Sequence, residues 1–322
     1  MAKDEHSRRG FIKNAGLVAG SVLGANILPA QAVAQSARTS TGSATKGAQL
    51  RALLAKTDPI ITPIIPDILS ARLCELEGFT AVFIGDSQST RWYGVPSFGL
   101  ISMTELVGYA VHVAEHTNLP VIADLEDGGG SPLKIYRATQ ELERGNVAAA
   151  MYEDRPPESN LVRNGPLVSK DQMVDKIKAA VDARRDQSLV IVARTHAQNH
   201  GYTMDQALDR GLACAEAGAD VIFFSGMRLQ DHPKAQEIVK KPLLTLGTAR
   251  TTPQQAKAAK LSVVIYHLDN VGHGAIHQAL KELKTTGTFE NSSKLSLPGA
   301  VHEQLVRSQD YLARARKYHM VP

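Results

Sequence analysis

The side chains best suited to chemistry in this sequence are carboxylates, arginines and histidines that follow short apolar runs. Asp124, Glu126 and Asp127 close the run from Pro120 to Leu125, Glu153 and Asp154 close Ala148 to Glu153, and Arg194 and His196 close Leu189 to Thr195. Gly85-Asp86-Ser87 and His267-Leu268-Asp269 end two further runs. Extended chain alternates its side chains, so Asp124 and Glu126 are expected on one side, as are Arg194 and His196. If Glu153 joins Asp124 and Glu126, three carboxylates converge, an arrangement that is unfavourable unless a cation shares it. Oxygen donors without His or Cys select Mg2+ or Mn2+. The alternative is that these acids are solvated loop residues or helix caps, a role that suits Asp127 equally well. The planar fork of Arg194 fits a substrate carboxylate bidentately, its alternative being an ion pair with Glu153. His196 suits acid-base work near neutral pH or a structural place at a strand end. Ser87 and His267 show no spacing that assembles a nucleophilic triad, and the sequence has no G-x-S-x-G elbow.

Positioning these groups requires strands that deliver their C-terminal ends to one place. Eight apolar runs read as strands: Ile60 to Ile65, Ala81 to Gly85, Pro120 to Leu125, Ala148 to Glu153, Leu189 to Thr195, Asp220 to Ser225, Leu243 to Gly247 and Ser262 to His267. Amphipathic helix patterns alternate with them at Ile68 to Glu77, Thr104 to Thr117, Pro132 to Arg144, Lys170 to Arg185, Met204 to Ala217, His232 to Val239, Pro253 to Ala259 and Gly274 to Lys284. Alternation of this kind, in this number, predicts a (β/α)8 TIM barrel with its chemistry at the C-terminal face of the strands. An open doubly wound sheet is the alternative. It lacks its main signal, because no G-x-G-x-x-G follows the first strand and Gly128-Gly129-Gly130 follows the third. A last amphipathic helix, Gly299 to Tyr318, is left over after the eighth pair.

The chain has 322 residues with a formal charge of +4, half of which comes from Lys3, Arg8, Arg9 and Lys13 set against Asp4 and Glu5. So weak a balance, without a basic run, argues against a nucleic-acid partner. Ser7-Arg8-Arg9-Gly10-Phe11-Ile12-Lys13, the apolar stretch Ala15 to Leu28 and Ala-Gln-Ala-Val-Ala-Gln together read as a twin-arginine (Tat) signal over residues 1–36. That reading implies use of the Tat translocon, cleavage near Ala32 or Ala34 and a periplasmic destination. A basic N-terminal anchor helix is the alternative, but the stretch is shorter than the ~20 residues that span a bilayer. Residues 37–49 read as a linker and 50–322 as the barrel. Cys74 and Cys214 fall inside helix patterns and are expected to be buried.

Several segments together resemble the isocitrate lyase/phosphoenolpyruvate mutase superfamily. They are Pro120-Val-Ile-Ala-Asp124-Leu-Glu126-Asp-Gly128-Gly-Gly130, Tyr152-Glu153-Asp154, Val168-Ser169-Lys170 with Met173 to Ile177, Val192-Ala193-Arg194-Thr195, and Glu216 to Asp220. The likeness runs from about Leu50 to Gly287. It implies a Mg2+-dependent enzyme that makes or breaks a bond next to a 2-oxo carboxylate through an enolate-like intermediate. By motif position, Asp124 would contact the metal and substrate, Glu126 would ligate the metal, and Glu153 would hold it directly or through water. Arg194 would bind the substrate carboxylate, which the Gly85, Asp86 and Ser87 segment would receive on backbone amides. The resemblance also suggests a homodimer or homotetramer with the final helix exchanged.

The sequence departs from the family pattern at informative points. The loop Arg155 to Gly165, of which Arg155 to Asn164 is expected to close as a lid, lacks the acid-base cysteine of the lyases, and Asn160 is the nearest counterpart of a mutase-branch asparagine. Glu126 stands where the family has aspartate, Gly129 where it has an aromatic residue, and His196 where it often has an acid. These features favour a decarboxylase, hydrolase or mutase acting on a small 2-oxo or 2-hydroxy acid. A carboxylate-binding barrel without turnover is the competing reading.

Overall fold

A computed structural model of the chain describes residues 44–156 and 165–321. The twin-arginine segment and Asn160 therefore lie outside the described residues. The eight apolar runs form eight parallel strands: β1 (Ile60–Ile64), β2 (Val82–Ile84), β3 (Val121–Asp124), β4 (Ala149–Glu153), β5 (Val190–Thr195), β6 (Val221–Phe224), β7 (Leu243–Leu246) and β8 (Val263–His267). Each pairs with its successor and β8 pairs with β1, closing the expected barrel.

Before, between and after the strands run α1 (Lys46–Leu54), α2 (Ile68–Leu76), α3 (Asp86–Tyr93), α4 (Met103–His116), α5 (Pro132–Arg144), α6 (Lys170–Ala183) and α7 (Met204–Glu216). They are followed by α8 (His232–Val239), α9 (Pro253–Ala258), α10 (Val271–Thr286), α11 (Glu290–Ser293), α12 (Gly299–Leu305) and α13 (Ser308–Lys317). Reciprocal capping starts several of them: Ser102 with Glu105, Ser169 with Gln172, Thr203 with Gln206, and Thr252 with Gln255. Each pair satisfies amides that a helix start would otherwise leave without acceptors.

Strand alternation sorts the apolar residues into two cores. Phe83, Ile122, Met151, Val192, Phe223, Leu244 and Ile265 fill the barrel interior, while Tyr152, Ile191, Ile222 and Phe224 face the helices. Burying one such side chain stabilises the fold by roughly 1.5–3 kcal/mol.

Three departures from the expected elements have physical causes. Residues 46–49, read as linker, begin α1, whose Leu50, Leu53 and Leu54 close the bottom of the inner core. A methyl group on Gly47 would sit 2.6 Å from the Ser188 carbonyl oxygen, so glycine lets this helix dock. The Lys46 ammonium donates to the carbonyls of Ala114 and Thr117, and burial lowers its pKa to about 8. Second, α3 was not foreseen, because its polar sequence carries no apolar stripe. Third, the single C-terminal helix expected from Gly299 to Tyr318 is two helices, broken at Arg307, whose φ is +57°. The buried Leu305 fixes the break, with its carbonyl accepting from Arg72 of α2 at 2.6 Å.

Cys74 and Cys214 are free and buried, as their helix patterns imply. Among the described residues no helix is long and apolar enough to cross a membrane.

Candidate active site

Strand parity builds the site. On β3, Ile122 faces the interior, and so does Asp124 two residues on. By the same step Met151 leads to Glu153 on β4, Val192 to Arg194 on β5, and Ile265 to His267 on β8. Register then places neighbours side by side, Glu153 beside Arg194 and Arg194 beside Phe223. The result is a cavity of about 210 Å3 at the barrel mouth, walled by Asp124, Glu126, Arg155, Arg194, Phe223 and His267, with Gly85 and Asp86 along one edge.

Glu126 reaches this cavity by a different route from the one its spacing suggested. The strand ends at Asp124, whose Oδ1 accepts from the Glu126 amide at 3.0 Å, and Glu126 itself has φ +54°. A left-handed residue with a side chain is uncommon and costs energy, and such residues cluster at functional sites. The following glycines all have positive φ, and a methyl on Gly128 would collide with Ile135 at 2.3 Å. Asp127 takes the capping role that was its alternative, accepting from the Gly129 amide at 3.1 Å.

Asp124, Glu126 and Glu153 come together, with one oxygen of each within 4.8 Å of the others. Their protonation differs sharply. Burial lifts the Asp124 carboxyl to about 6, with Arg194 opposing and Glu153 reinforcing the shift. Burial, then Glu153 and Asp124, push Glu126 well above the ordinary glutamate range. Burial also acts on Glu153, but His196, Arg194 and Arg155 outweigh it and hold Glu153 well below that range. Two guanidiniums supply this balance. Arg155 bridges Glu153 and Glu126, the latter at 2.7 Å, and Arg194 donates from Nη1 to Asp124 at 2.6 Å, with Glu153 at 3.4 Å. The Arg194 guanidinium lies 4.8 Å over the Phe223 ring, and its buried Nε has no hydrogen-bond partner among the described residues.

His196 is placed to orient rather than to exchange protons. Its ring lies 2.8 Å from Glu153, and because a carboxylate only accepts, Nε2 carries the proton. Burial and Arg194 outweigh Glu153 and lower its pKa to about 4, so the ring is neutral near pH 7, which suits the structural place at a strand end that was its alternative. Asp154, which accepts from Thr195 Oγ1 at 2.6 Å and the His196 amide at 2.9 Å, fixes the end of β5.

At the other edge, Gly85 brings β2 close to Asp124, since a methyl there would lie 3.2 Å from the Asp124 Cβ. Its amide donates to Gln88 Oε1 at 2.8 Å, so of the three amides expected to receive a carboxylate this one is already engaged. Asp86 and Ser87 open α3, where amides have no acceptor within the helix. Asp86 is buried and accepts from Ser97, and burial raises its pKa. Arg155, Gln88 and the pair His267 and Asp269 went unassigned in the sequence. The parity of Val263, Ile265 and His267 was a sufficient signal for the histidine.

A family model for phosphoenolpyruvate phosphomutase matches residues 50–285. The chain belongs to that family. Among its relatives, the 2,3-dimethylmalate lyase of Eubacterium barkeri is 38% identical over 241 residues, covering 73% of this chain and 83% of the lyase. The oxaloacetate decarboxylase of Chromohalobacter salexigens is 35% identical over 237 residues, covering 72% and 80%. A solved phosphonopyruvate hydrolase in complex with oxalate and Mg2+ superposes with a TM-score of 0.75 at 25% identity, covering 85% of this chain and 99% of that one. The phosphomutase-family barrel is thus an enzyme of the superfamily that its motifs resemble, one whose named members are lyases, decarboxylases, phosphomutases and hydrolases of small carboxylic acids.

Proposed function

We propose that the protein is a Mg2+- or Mn2+-dependent lyase or decarboxylase acting on a small 2-oxo or 2-hydroxy acid through an enolate-like intermediate. The observation that carries this reading is the convergence of three carboxylates, two of which, Asp124 and Glu126, line a cavity of about 210 Å3 with Arg194. That volume suits a ligand smaller than the drug-sized molecules bound in cavities of ~300–1,000 Å3. The carboxylates fit a hard divalent cation, because the like-charge repulsion that raises Asp124 and Glu126 is the repulsion a cation relieves. When bound, the ion would polarise the oxo or hydroxyl oxygen as a Lewis acid.

The chain's own residues do the rest. Arg194 holds the substrate carboxylate with donors that include its unpartnered Nε. The first amides of α3 meet the same carboxylate, and helix starts favour anions. Neutral His196 keeps Glu153 in place, and Phe223 keeps water from the guanidinium face. To test the reading, the purified protein would be screened with Mg2+ or Mn2+ against oxaloacetate, phosphonopyruvate, isocitrate, methylisocitrate and substituted malates for released pyruvate or glyoxylate. Turnover that chelation and Arg194→Ala both abolish is expected. Turnover indifferent to chelation would overturn the metal role.

Two further readings accompany it. The twin-arginine segment supports export to the periplasm, checked by fractionation of cells carrying Arg8→Lys with Arg9→Lys. Self-assembly is supported by α10, which buries none of its residues and exposes Val271, Ile276, Leu280 and Leu283. A second copy of the chain is the proposed cover for that face.

A further inference from the structure

The chain lacks the loop cysteine that the lyases use to move a proton, and the described site contains one histidine besides His196. His267 ends β8 with its side chain half exposed, and it lines the same cavity as Asp124, Glu126 and Arg194. Its Nδ1 lies 3.1 Å from Asp269 Oδ1, and since a carboxylate only accepts, Nδ1 carries a proton there. Asp269 is buried at 1% exposure and is itself anchored twice from α3, by the Arg91 guanidinium and by Gln88 Nε2 at 2.9 Å. Burial favours a protonated Asp269, but the hydrogen bonds from His267, Arg91 and Gln88, with the charge of Arg91, keep it ionised. Gln88 also accepts from the Gly85 amide. The carboxylate-binding edge and the histidine are therefore braced by the same side chain.

Resting on the proposed lyase reading, we infer that His267, oriented by Asp269, is the proton donor to carbon in this enzyme. A buried carboxylate fixed to Nδ1 sets the tautomer and orients the ring, the logic by which an aspartate serves a catalytic histidine. In the step assigned to it, the carbon-carbon bond breaks and its electron pair stays on the carbon that becomes the enolate. The Nε2 proton is then transferred to that carbon, leaving neutral imidazole with Nδ1–H still on Asp269. In a 2-hydroxy acid, the proton lost by the hydroxyl passes to solvent and restores the imidazolium through the exposed ring edge. In a decarboxylation solvent supplies it directly. No oxidant or second substrate is required.

The experiment uses a substrate branched at the carbon that receives the proton, turned over in D2O with Mg2+. Wild-type enzyme is expected to place one deuterium in a single configuration. His267→Gln should lower kcat by about 10²- to 10⁴-fold, the usual size of a lost general acid, with KM little changed. Whatever product it forms should carry deuterium in both configurations, because solvent then protonates a released enolate from either face. Asp269→Asn should lower kcat while keeping the configuration single. Unchanged binding of oxalate with Mg2+ to His267→Gln would show that the variant is folded. If that variant keeps wild-type kcat and a single configuration while Arg194→Ala is inactive, the assignment to His267 is wrong and the lyase reading stands. If wild type turns over no acid in the panel, the lyase reading itself falls, and the assignment with it.

Discussion

Two carboxylates within 4.8 Å of each other should respond oppositely to the same substitution. Glu153 is 1% exposed and meets Arg155, Arg194 and His196, so its ionised form is the one that the fold prefers. A carboxyl held below its unfolded pKa adds stability above that pKa and loses it as pH falls. Glu153→Gln keeps the shape but removes the charge, leaving two largely buried guanidiniums short of a partner. Breaking a buried pair from one side costs about 3–5 kcal/mol. Because glutamine still accepts hydrogen bonds, we take the lower figure, about 3 kcal/mol, which lowers Tm by roughly 6–10 °C in a domain of this size. Glu126 is the reverse case. Its carboxyl is pushed up by burial, then by Glu153 and Asp124, so ionising it costs stability and Glu126→Gln should leave Tm unchanged or raise it. Both variants should weaken Mg2+ binding in calorimetric titration, because each removes a charged oxygen donor. Calorimetric melts of the metal-free proteins at pH 7 decide the matter. Equal losses of Tm in the two variants, or none in Glu153→Gln, would refute the charge balance described for this site.

Other expectations are as direct. Metal binding must displace the proton that Asp124, with a carboxyl near 6, holds in acid, and any held by the raised Glu126, so Mg2+ affinity should fall at least about tenfold between pH 7 and pH 5; a flat titration would count against it. Arg155 shares Glu126 and Glu153 with any cation, so Arg155→Met should tighten Mn2+ binding in the absence of substrate, and weaker binding would make Arg155 a partner of the site rather than a competitor. Gly47→Ala drives a methyl against the Ser188 carbonyl and should cost about 1–3 kcal/mol in denaturant melts. Leu280→Asp on α10 should shift light scattering toward a smaller species, and an unchanged mass would remove α10 from any interface.

The sequence carried most of the barrel because each strand and helix has a strong period of its own. The strand ends at Glu153, Thr195 and His267 could be read to the residue. Local pattern did not reveal what depends on distant partners. The first turn of α1 hid in an Ala/Gly/Ser/Thr-rich stretch because its role is to plug the barrel, and α3 hid because a polar helix capped at Gly85 carries no apolar stripe. Spacing brought Glu126 to the correct cluster for an incomplete reason, since a left-handed turn, and not strand alternation, delivers it. His196 looked titratable as a residue type, but its burial beside Arg194 removes that behaviour.

The leucines of α1 close the barrel floor, so among the described residues the site opens at the C-terminal ends of the strands. On the proposed lyase reading, cation, acid and both product fragments would share that opening, which would fix a kinetic order on the reaction. The fragment nearer solvent departs first and should inhibit noncompetitively. The fragment still held by Arg194 departs last and should compete with fresh substrate for the same form of the enzyme.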